Sequence, residues 1–332
     1  MAVVKLFAQL PPVRVHQQAA EQADEADGRL RRPQLIGRAL CCFAISEKEI
    51  FMLSRKSFVA LFLFILCASV GYAKTLASTP QRETGFLRRS VTLRLTTIDY
   101  RVYIPLGYDP AKKYPVILYL HGRGPRGNDN EKQIGGPHLG SVIQLFDLKH
   151  PERYRSFIAV FPQTQTNWFN DPAEQAIKAL DQTVTEFNGD PQRIYLTGAS
   201  LGGYGSWYLA AKYPKKFAAV VPVAGGIVPP IIVQRLSGPK SSMPAEMSAL
   251  YSAQDPYAAV AKAVGKTPVW IFHGAQDDTV DVKESRKMEA ALKAAGGTVK
   301  YTEYAEEKHF IADRVFTDVE FLKWLMAQKL AQ

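Results

Sequence analysis

The chain has 332 residues and a formal net charge of +10. Apolar residues make up 47% of it and charged residues 22%, which is typical of a globular protein with a sizeable core and excludes global disorder. The lysines and arginines are scattered along the chain without a long basic run. Composition therefore gives no reason to expect a nucleic-acid partner.

All three cysteines, Cys41, Cys42 and Cys67, lie in the N-terminal part of the chain. The body that follows cannot form disulfides or bind zinc through sulfur, because it holds no thiol. A body without cysteine is insensitive to the redox state of its compartment, which suits an exported protein.

Residues 52–73 have the pattern of a secretory signal peptide. Arg55 and Lys56 precede an uncharged stretch, residues 57–73, that ends in the small residue Ala73. We expect cleavage after about Ala73 and hence a secreted or periplasmic protein. The alternative is an uncleaved membrane anchor through residues 57–73, a stretch at the lower edge of the length that spans a bilayer.

A signal peptide normally begins a chain, yet residues 1–51 precede this one. Our hypothesis is that Met52 is the true start and that residues 1–51, a non-native or disordered extension, come from an over-extended reading frame. Residues 74–332 would then form one catalytic domain.

The body alternates predicted strands and helices. A leading antiparallel hairpin is predicted over residues 89–95 and 101–104, apolar runs then predict buried parallel strands, and amphipathic stretches predict helices between them. The strands are expected over 116–120, 157–161, 193–197, 217–223, 268–272 and 299–304, and the helices over 171–187, 203–212, 282–295 and 314–328. This order predicts an α/β fold, a mostly parallel central sheet with helices on both faces, whose reactive groups lie at the carboxyl ends of the strands.

Residues 227–266 do not fit this alternation. They are rich in proline and carry an apolar patch at 231–233, so we consider them a cap over a pocket. A surface excursion without function is the equal alternative.

The motif Gly198-Ala199-Ser200-Leu201-Gly202 has the form G-x-S-x-G. The motif alone is a weak signal, but here it follows a predicted strand and precedes a predicted helix, as the nucleophile elbow of the α/β-hydrolase fold requires. We expect Ser200 to be the nucleophile and the Leu201 amide to point at the developing oxyanion.

A serine nucleophile needs a base, and in this fold the acid and then the histidine follow the serine in the chain. His273 ends a predicted strand and is expected to be positional. His309 lies in a loop after the last strand, from which it can reach Ser200, so we predict that it is the general base.

The orienting acid should follow the strand that ends at His273. Asp277 lies in the first turn after it and is the predicted acid, with Asp278 as the fallback. Asp281 is expected to cap the next helix. A second oxyanion donor is expected from the Arg123 backbone N–H, because its loop follows the strand 116–120.

The stretch 198–214, GASLGGYGSWYLAAKYP, resembles the prolyl-oligopeptidase-like esterases, near the dienelactone hydrolase, phospholipase/carboxylesterase and feruloyl esterase groups. His121-Gly122 with RGNDN at 126–130, PQTQTNW at 162–168 and HGAQD at 273–277 are similar as well. The resemblance implies a Ser200–Asp277–His309 triad, an ester substrate, no metal or organic cofactor, and a pocket lined by Gln163 and Trp168. Arg123-Gly124-Pro125 departs from the family pattern.

The predicted function is therefore hydrolysis of carboxylic esters through an acyl-enzyme. Trp168 and Tyr204 near the expected pocket favour short acyl or aryl esters, although aromatic residues beside a strand commonly serve packing. A serine peptidase is the closest alternative, but such enzymes carry a large propeller domain for which we expect no room. An acyltransferase and a binding protein on a hydrolase scaffold are the remaining alternatives.

Overall fold

A computed structural model describes residues 83–135, 157–228 and 245–330 of the chain. All of them belong to one compact unit, residues 81–332. The predicted signal peptide and the extension before it lie outside the described residues. Within those residues, no helix is both long and apolar enough to span a membrane.

The sheet has eight strands in the described residues, and seven helices accompany it. The strands are β1 (Gly85–Leu93), β2 (Thr96–Ile104), β3 (Tyr114–Leu120), β4 (Ile158–Pro162), β5 (Gly189–Ala199), β6 (Ala219–Val223), β7 (Val269–Gly274) and β8 (Val299–Tyr304). The helices are α1 (Asn170–Glu186), α2 (Leu201–Lys212), α3 (Ala245–Tyr251), α4 (Pro256–Val264), α5 (Lys283–Ala294), α6 (Ala312–Thr317) and α7 (Val319–Ala327).

The strands follow the spatial order β1-β2-β4-β3-β5-β6-β7-β8. The β1–β2 hairpin is antiparallel and turns at Arg94, whose φ is +54°. β2 pairs with β4 in the antiparallel sense, whereas every pairing from β4 to β8 is parallel. The carboxyl ends of β3 to β8 therefore meet at one edge of the sheet, which confirms the predicted α/β-hydrolase architecture.

Apolar strand residues point to both faces of the sheet and form two cores. One core holds the buried residues of α1, α2, α4 and α5, and the other holds those of α6 and α7. β3 and β4 are buried along their whole length, as expected of parallel strands covered by helices on both sides.

Two predicted elements differ from the structure. The closing helix is two helices, because Asp318 takes an extended conformation (φ −69°, ψ 121°) and its side chain accepts the Glu320 N–H at 2.8 Å, which starts α7 afresh. The segment 227–266 is not a cap over its whole length either: α4 buries Tyr257, Val260 and Val264 in the same core as α2 and α5. The proline-rich part of the segment, residues 229–244, lies outside the described residues.

Candidate active site

The turn between β5 and α2 carries Ser200 in a strained conformation. Its backbone has φ 55° and ψ −114°, a region that a residue with a Cβ rarely occupies and that costs about 1–3 kcal/mol. The Ser200 N–H donates to Val223 O at 2.8 Å, which holds the turn against β6. At Gly202 a Cβ would overlap the Leu120 carbonyl oxygen, so only glycine allows α2 to begin this close to β3. The turn thus has the form of a nucleophile elbow.

His309 meets the serine from the loop after β8. Its Nε2 lies 2.8 Å from Ser200 Oγ, and the residue is only 8% exposed. This geometry allows the imidazole to accept the hydroxyl proton, because Nε2 is within hydrogen-bond reach of Oγ.

Asp277 orients His309 from the turn that follows β7. Its Oδ2 lies 2.7 Å from His309 Nδ1, and its Oδ1 accepts the N–H groups of Thr279 and Val280 at 2.8 and 2.9 Å. Burial alone would raise the pKa of the Asp277 carboxyl, but hydrogen bonds from His273, His309 and the Val280 N–H hold that pKa well below its usual range. The buried carboxylate is therefore ionised and fixes the His309 tautomer with a proton on Nδ1.

The other two aspartates lie elsewhere. Asp278 is exposed and pairs with Lys308 at 3.4 Å. The Asp281 side chain accepts the Lys283 N–H at 2.9 Å just before α5, but Val282 and not Asp281 occupies the N-cap position, so the predicted cap is wrong by one residue. Of the three aspartates in this turn, Asp277 is the one that contacts His309.

His273 adds a contact that sequence reasoning missed. It is fully buried at the end of β7, and its Nε2 lies 3.1 Å from Asp277 Oδ2 and 3.0 Å from Val280 O. Both neighbours of Nε2 are acceptors, so this nitrogen carries the proton. Nδ1 lies 2.6 Å from Ser285 Oγ on α5. The strand-end position in the sequence signals a positional residue, but it does not show that His273 and His309 share one carboxylate oxygen.

The loop after β3 passes directly beside the serine. A Cβ built on Gly122 would lie 3.7 Å from Ser200 Cβ, so the backbone approaches the nucleophile closely. Arg123 follows with an exposed side chain, and its carbonyl accepts a hydrogen bond from Arg126 Nε at 3.0 Å. Leu201 opens α2, where the first amides have no partner within the helix. Leu201 thus adjoins Ser200 in the chain, and Arg123 directly follows Gly122, which lies close to Ser200 in space.

His121 anchors this loop. Its Nε2 accepts the Thr164 N–H at 3.1 Å, so Nδ1 carries the proton and donates to Gly122 O at 2.7 Å. Burial lowers the pKa of His121 to about 4, so the ring is neutral at pH 7. In the sequence, His121 indicates only where this loop begins.

Trp168 does not line a pocket as predicted. It is fully buried, its Nε1 donates to His121 O at 2.8 Å, and a Cβ on Gly205 of α2 would collide with it. The aromatic ring therefore fills the space between the oxyanion loop and α2, and the prediction that it contacts substrate is wrong.

Gln163 and Tyr204 are also buried, at 4% and 2% exposure. The Gln163 amide is committed to the loop after β3, because Oε1 accepts the Asn130 N–H at 2.7 Å and Nε2 donates to Pro125 O at 3.0 Å. Burial raises the pKa of Tyr204, and the negative charge of nearby Glu284 raises it further. Their expected role in substrate binding remains a prediction.

Residues 161–328, about half of the chain, match the model of the prolyl oligopeptidase family. An uncharacterized secreted protein of Arthroderma benhamiae is 28% identical over 65% of this chain and 23% of its own length. Dipeptidyl-peptidase 5 of Aspergillus fumigatus is 25% identical over 66% of this chain and 32% of its own length. The chain thus spans a quarter to a third of these two relatives.

A solved structure described as a thermostable esterase superposes with a TM-score of 0.59 at 26% identity, and the match covers 74% of this chain and 63% of that one. The similar proteins thus include both an esterase and a peptidase. With its mostly parallel sheet, its nucleophile elbow and the matching family model, the chain belongs to the prolyl oligopeptidase family, whose hydrolase fold it shares.

Proposed function

We propose that this chain is a serine hydrolase that cleaves carboxylic esters of short acyl or aryl groups. The observation that carries the proposal is the continuous contact from Asp277 Oδ2 to His309 Nδ1 (2.7 Å) and from His309 Nε2 to Ser200 Oγ (2.8 Å). Serine, histidine and aspartate in this arrangement perform nucleophilic acyl transfer on several unrelated folds.

In the proposed reaction, Ser200 Oγ attacks the ester carbonyl while His309 Nε2 accepts its proton. The Leu201 and Arg123 backbone N–H groups stabilise the oxyanion of the tetrahedral intermediate. His309 then donates the proton to the departing alcohol, which leaves Ser200 acylated. Water, deprotonated by His309, releases the acid and restores the serine. Asp277 stays ionised throughout and stabilises the imidazolium.

The proposed substrate is a small neutral ester rather than a nucleic acid, and the chemistry needs neither a metal nor an organic cofactor. The similarity to a thermostable esterase at 26% identity supports ester cleavage. The similarity to dipeptidyl-peptidase 5 supports a second candidate, peptide hydrolysis by the same three residues.

An activity assay decides between ester and peptide hydrolysis. Its substrates are p-nitrophenyl esters of increasing chain length, methyl ferulate and a peptide p-nitroanilide. We expect ester cleavage with slow or absent amide cleavage, and labelling by a fluorophosphonate that is lost in Ser200→Ala. Efficient amide cleavage without esterase activity would overturn the ester assignment in favour of a peptidase. A fully active Ser200→Ala would overturn the role of the serine.

We also propose that the body is exported through residues 52–73. The support is the signal-peptide pattern together with the similarity to a secreted protein. N-terminal sequencing of the precursor and of the exported protein checks this, with starts expected at Met52 and near residue 74. A precursor peptide from residues 1–51 would contradict the first expectation, and a mature protein that retains residues 57–73 in the membrane would indicate a tether.

A further inference from the structure

A cleft opens at the same edge of the sheet as the serine. Its volume is about 390 Å³, and its walls are the start of β2 (96–99), the loop after β3 (127–128), the loop after β4 (163–166), and Pro172 and Gln175 of α1. This volume is within the range of small-molecule sites.

The cleft adjoins the oxyanion loop. Thr164 in the cleft wall donates its N–H to His121 Nε2 at 3.1 Å. Gly122, which follows His121 in the chain, packs beside Ser200. In the sheet, only β3 lies between β4 and β5, and β5 ends beside Ser200. Two strand spacings amount to about 10 Å, so a substrate with its ester at Ser200 can reach the cleft if its alcohol part extends for one or two sugar rings.

Three carboxamides around the cleft are free to bind a ligand. Gln175 is only 6% exposed, and within the described residues its side chain has no hydrogen-bond partner. Asn128 and Gln165 likewise form no side-chain hydrogen bond in this part of the chain. Because the Gln175 amide lines the cleft and has no protein partner there, a ligand in the cleft can form its hydrogen bonds.

The chemistry of the walls selects a neutral, hydroxyl-rich ligand. Carboxamides and threonine hydroxyls both donate and accept hydrogen bonds, as sugar hydroxyls do. Asp99 is the one charged residue among the wall residues, and it would repel an anionic ligand. Ile98 and Pro172 offer small apolar surfaces for the C–H face of a sugar ring.

We propose that this cleft binds the sugar part of a carbohydrate ester whose acyl group is removed at Ser200. The proposal rests on the ester hydrolase function proposed above and names its substrate class: acylated oligosaccharides rather than simple alkyl esters.

Kinetics on two acetyl esters tests the proposal, with acetylated xylotriose as the sugar ester and p-nitrophenyl acetate as the ester without sugar. Gln175→Ala is expected to lower kcat/KM on acetylated xylotriose about 10-fold, mainly through KM, and to leave p-nitrophenyl acetate within twofold. Exposed Asn128→Ala is expected to act in the same direction and guards against misfolding of the buried variant. Gln182→Ala is the matched control on α1, because its Nε2 donates to Ser90 O outside this cleft.

Equal effects of Gln175→Ala and Asn128→Ala on both esters, or on neither, would overturn the proposal. So would a selective effect on a peptide amide, which would point to a peptide occupant. Titration calorimetry of Ser200→Ala with xylotriose keeps the two hypotheses distinguishable. Binding that weakens in Ser200→Ala/Gln175→Ala supports the sugar site even if the wild type cleaves no ester, and absence of binding overturns it whatever esters are cleaved.

Discussion

His273 Nε2 lies 3.1 Å from Asp277 Oδ2, the same oxygen that lies 2.7 Å from His309 Nδ1. Two imidazoles therefore hold one carboxylate oxygen, one from the end of β7 and one from the loop after β8. On the opposite side of the His273 ring, Nδ1 lies 2.6 Å from Ser285 Oγ on α5. The acid is thus positioned by the sheet and a helix in addition to its own turn.

We predict that His273→Phe lowers kcat on a p-nitrophenyl ester about 10-fold to 100-fold with little change in KM. The substitution keeps the ring volume but removes the donor to a buried carboxylate, and a hydrogen bond to a charged group contributes about 1.5–3 kcal/mol. Steady-state kinetics checks this by measuring kcat and KM separately for the variant and the wild type.

His273→Gln is the matched variant, because its amide can donate from near the position of Nε2. It should recover a large part of kcat, while both variants lose stability in urea. If both variants keep wild-type kcat and differ from it only in stability, His273 is a packing residue and does not position Asp277.

Asp277→Asn is expected to lower kcat about 10⁴-fold. A neutral amide presents a donor as readily as an acceptor to His309 Nδ1, so the imidazole loses the tautomer that can accept the Ser200 proton. The control is Asp278→Asn, which removes an exposed carboxylate paired with Lys308 at 3.4 Å. It should stay within twofold of wild type, since exposed ion pairs contribute little. A larger loss in the Asp278 variant than in the Asp277 variant would exchange the two assignments.

Gly274 fixes the loop that carries His309. A Cβ at this position would overlap the carbonyl oxygens of Glu307 and Lys308, so Gly274→Ala must push the histidine loop away from β7. We expect activity to fall about 100-fold, because displacements near 1 Å are that costly in a catalytic site. Fluorophosphonate labelling rates together with urea unfolding check it: normal labelling in a folded variant would show that the loop adapts without moving His309.

The chemistry-bearing residues could be predicted because each follows a strand of regular pattern. Ser200, Asp277 and His309 lie at the ends of β5, β7 and β8, and the parallel sheet brings those ends together. The insertion of β4 between β2 and β3 could not be read from apolar runs, because β3 and β4 are buried on both faces and show no alternation that distinguishes neighbours. The break at Asp318 was missed because the apolar period continues through it.

The buried polar side chains were the harder part of the site to predict. The family resemblance implies that Gln163 and Trp168 line a pocket, and His121 is noted in the sequence only as the start of the loop after β3. In the structure their hydrogen-bonding groups are directed at the backbone around the oxyanion loop, at Pro125 O, His121 O and Gly122 O. Spacing along the chain does not show whether such a group faces the solvent or a carbonyl.

Trp168→Phe tests whether Trp168 packs beneath the oxyanion loop or contacts substrate. It removes the Nε1 donor and leaves His121 O unpaired, so we expect the free energy of unfolding to fall by about 1–3 kcal/mol. The ratios of kcat/KM among p-nitrophenyl acetate, butyrate and octanoate should remain those of the wild type, because the ring is fully buried. A changed chain-length preference at unchanged stability would restore Trp168 as a substrate contact.

His121 predicts how stability depends on pH. Burial lowers its pKa from 6.5 to about 4, so between these values the unfolded chain binds a proton that the folded protein does not. The contribution of His121 to the free energy of unfolding is therefore fully present above pH 6.5 and is lost as the pH falls towards 4. At pH 5 the loss amounts to about 2 kcal/mol. Urea unfolding at pH 7 and pH 5 measures the difference. His121→Gln cannot titrate and should show a smaller loss between the two pH values, although it is less stable at pH 7 because it cannot satisfy both Thr164 N–H and Gly122 O. An equal loss in the variant and the wild type would show that other groups cause the pH dependence.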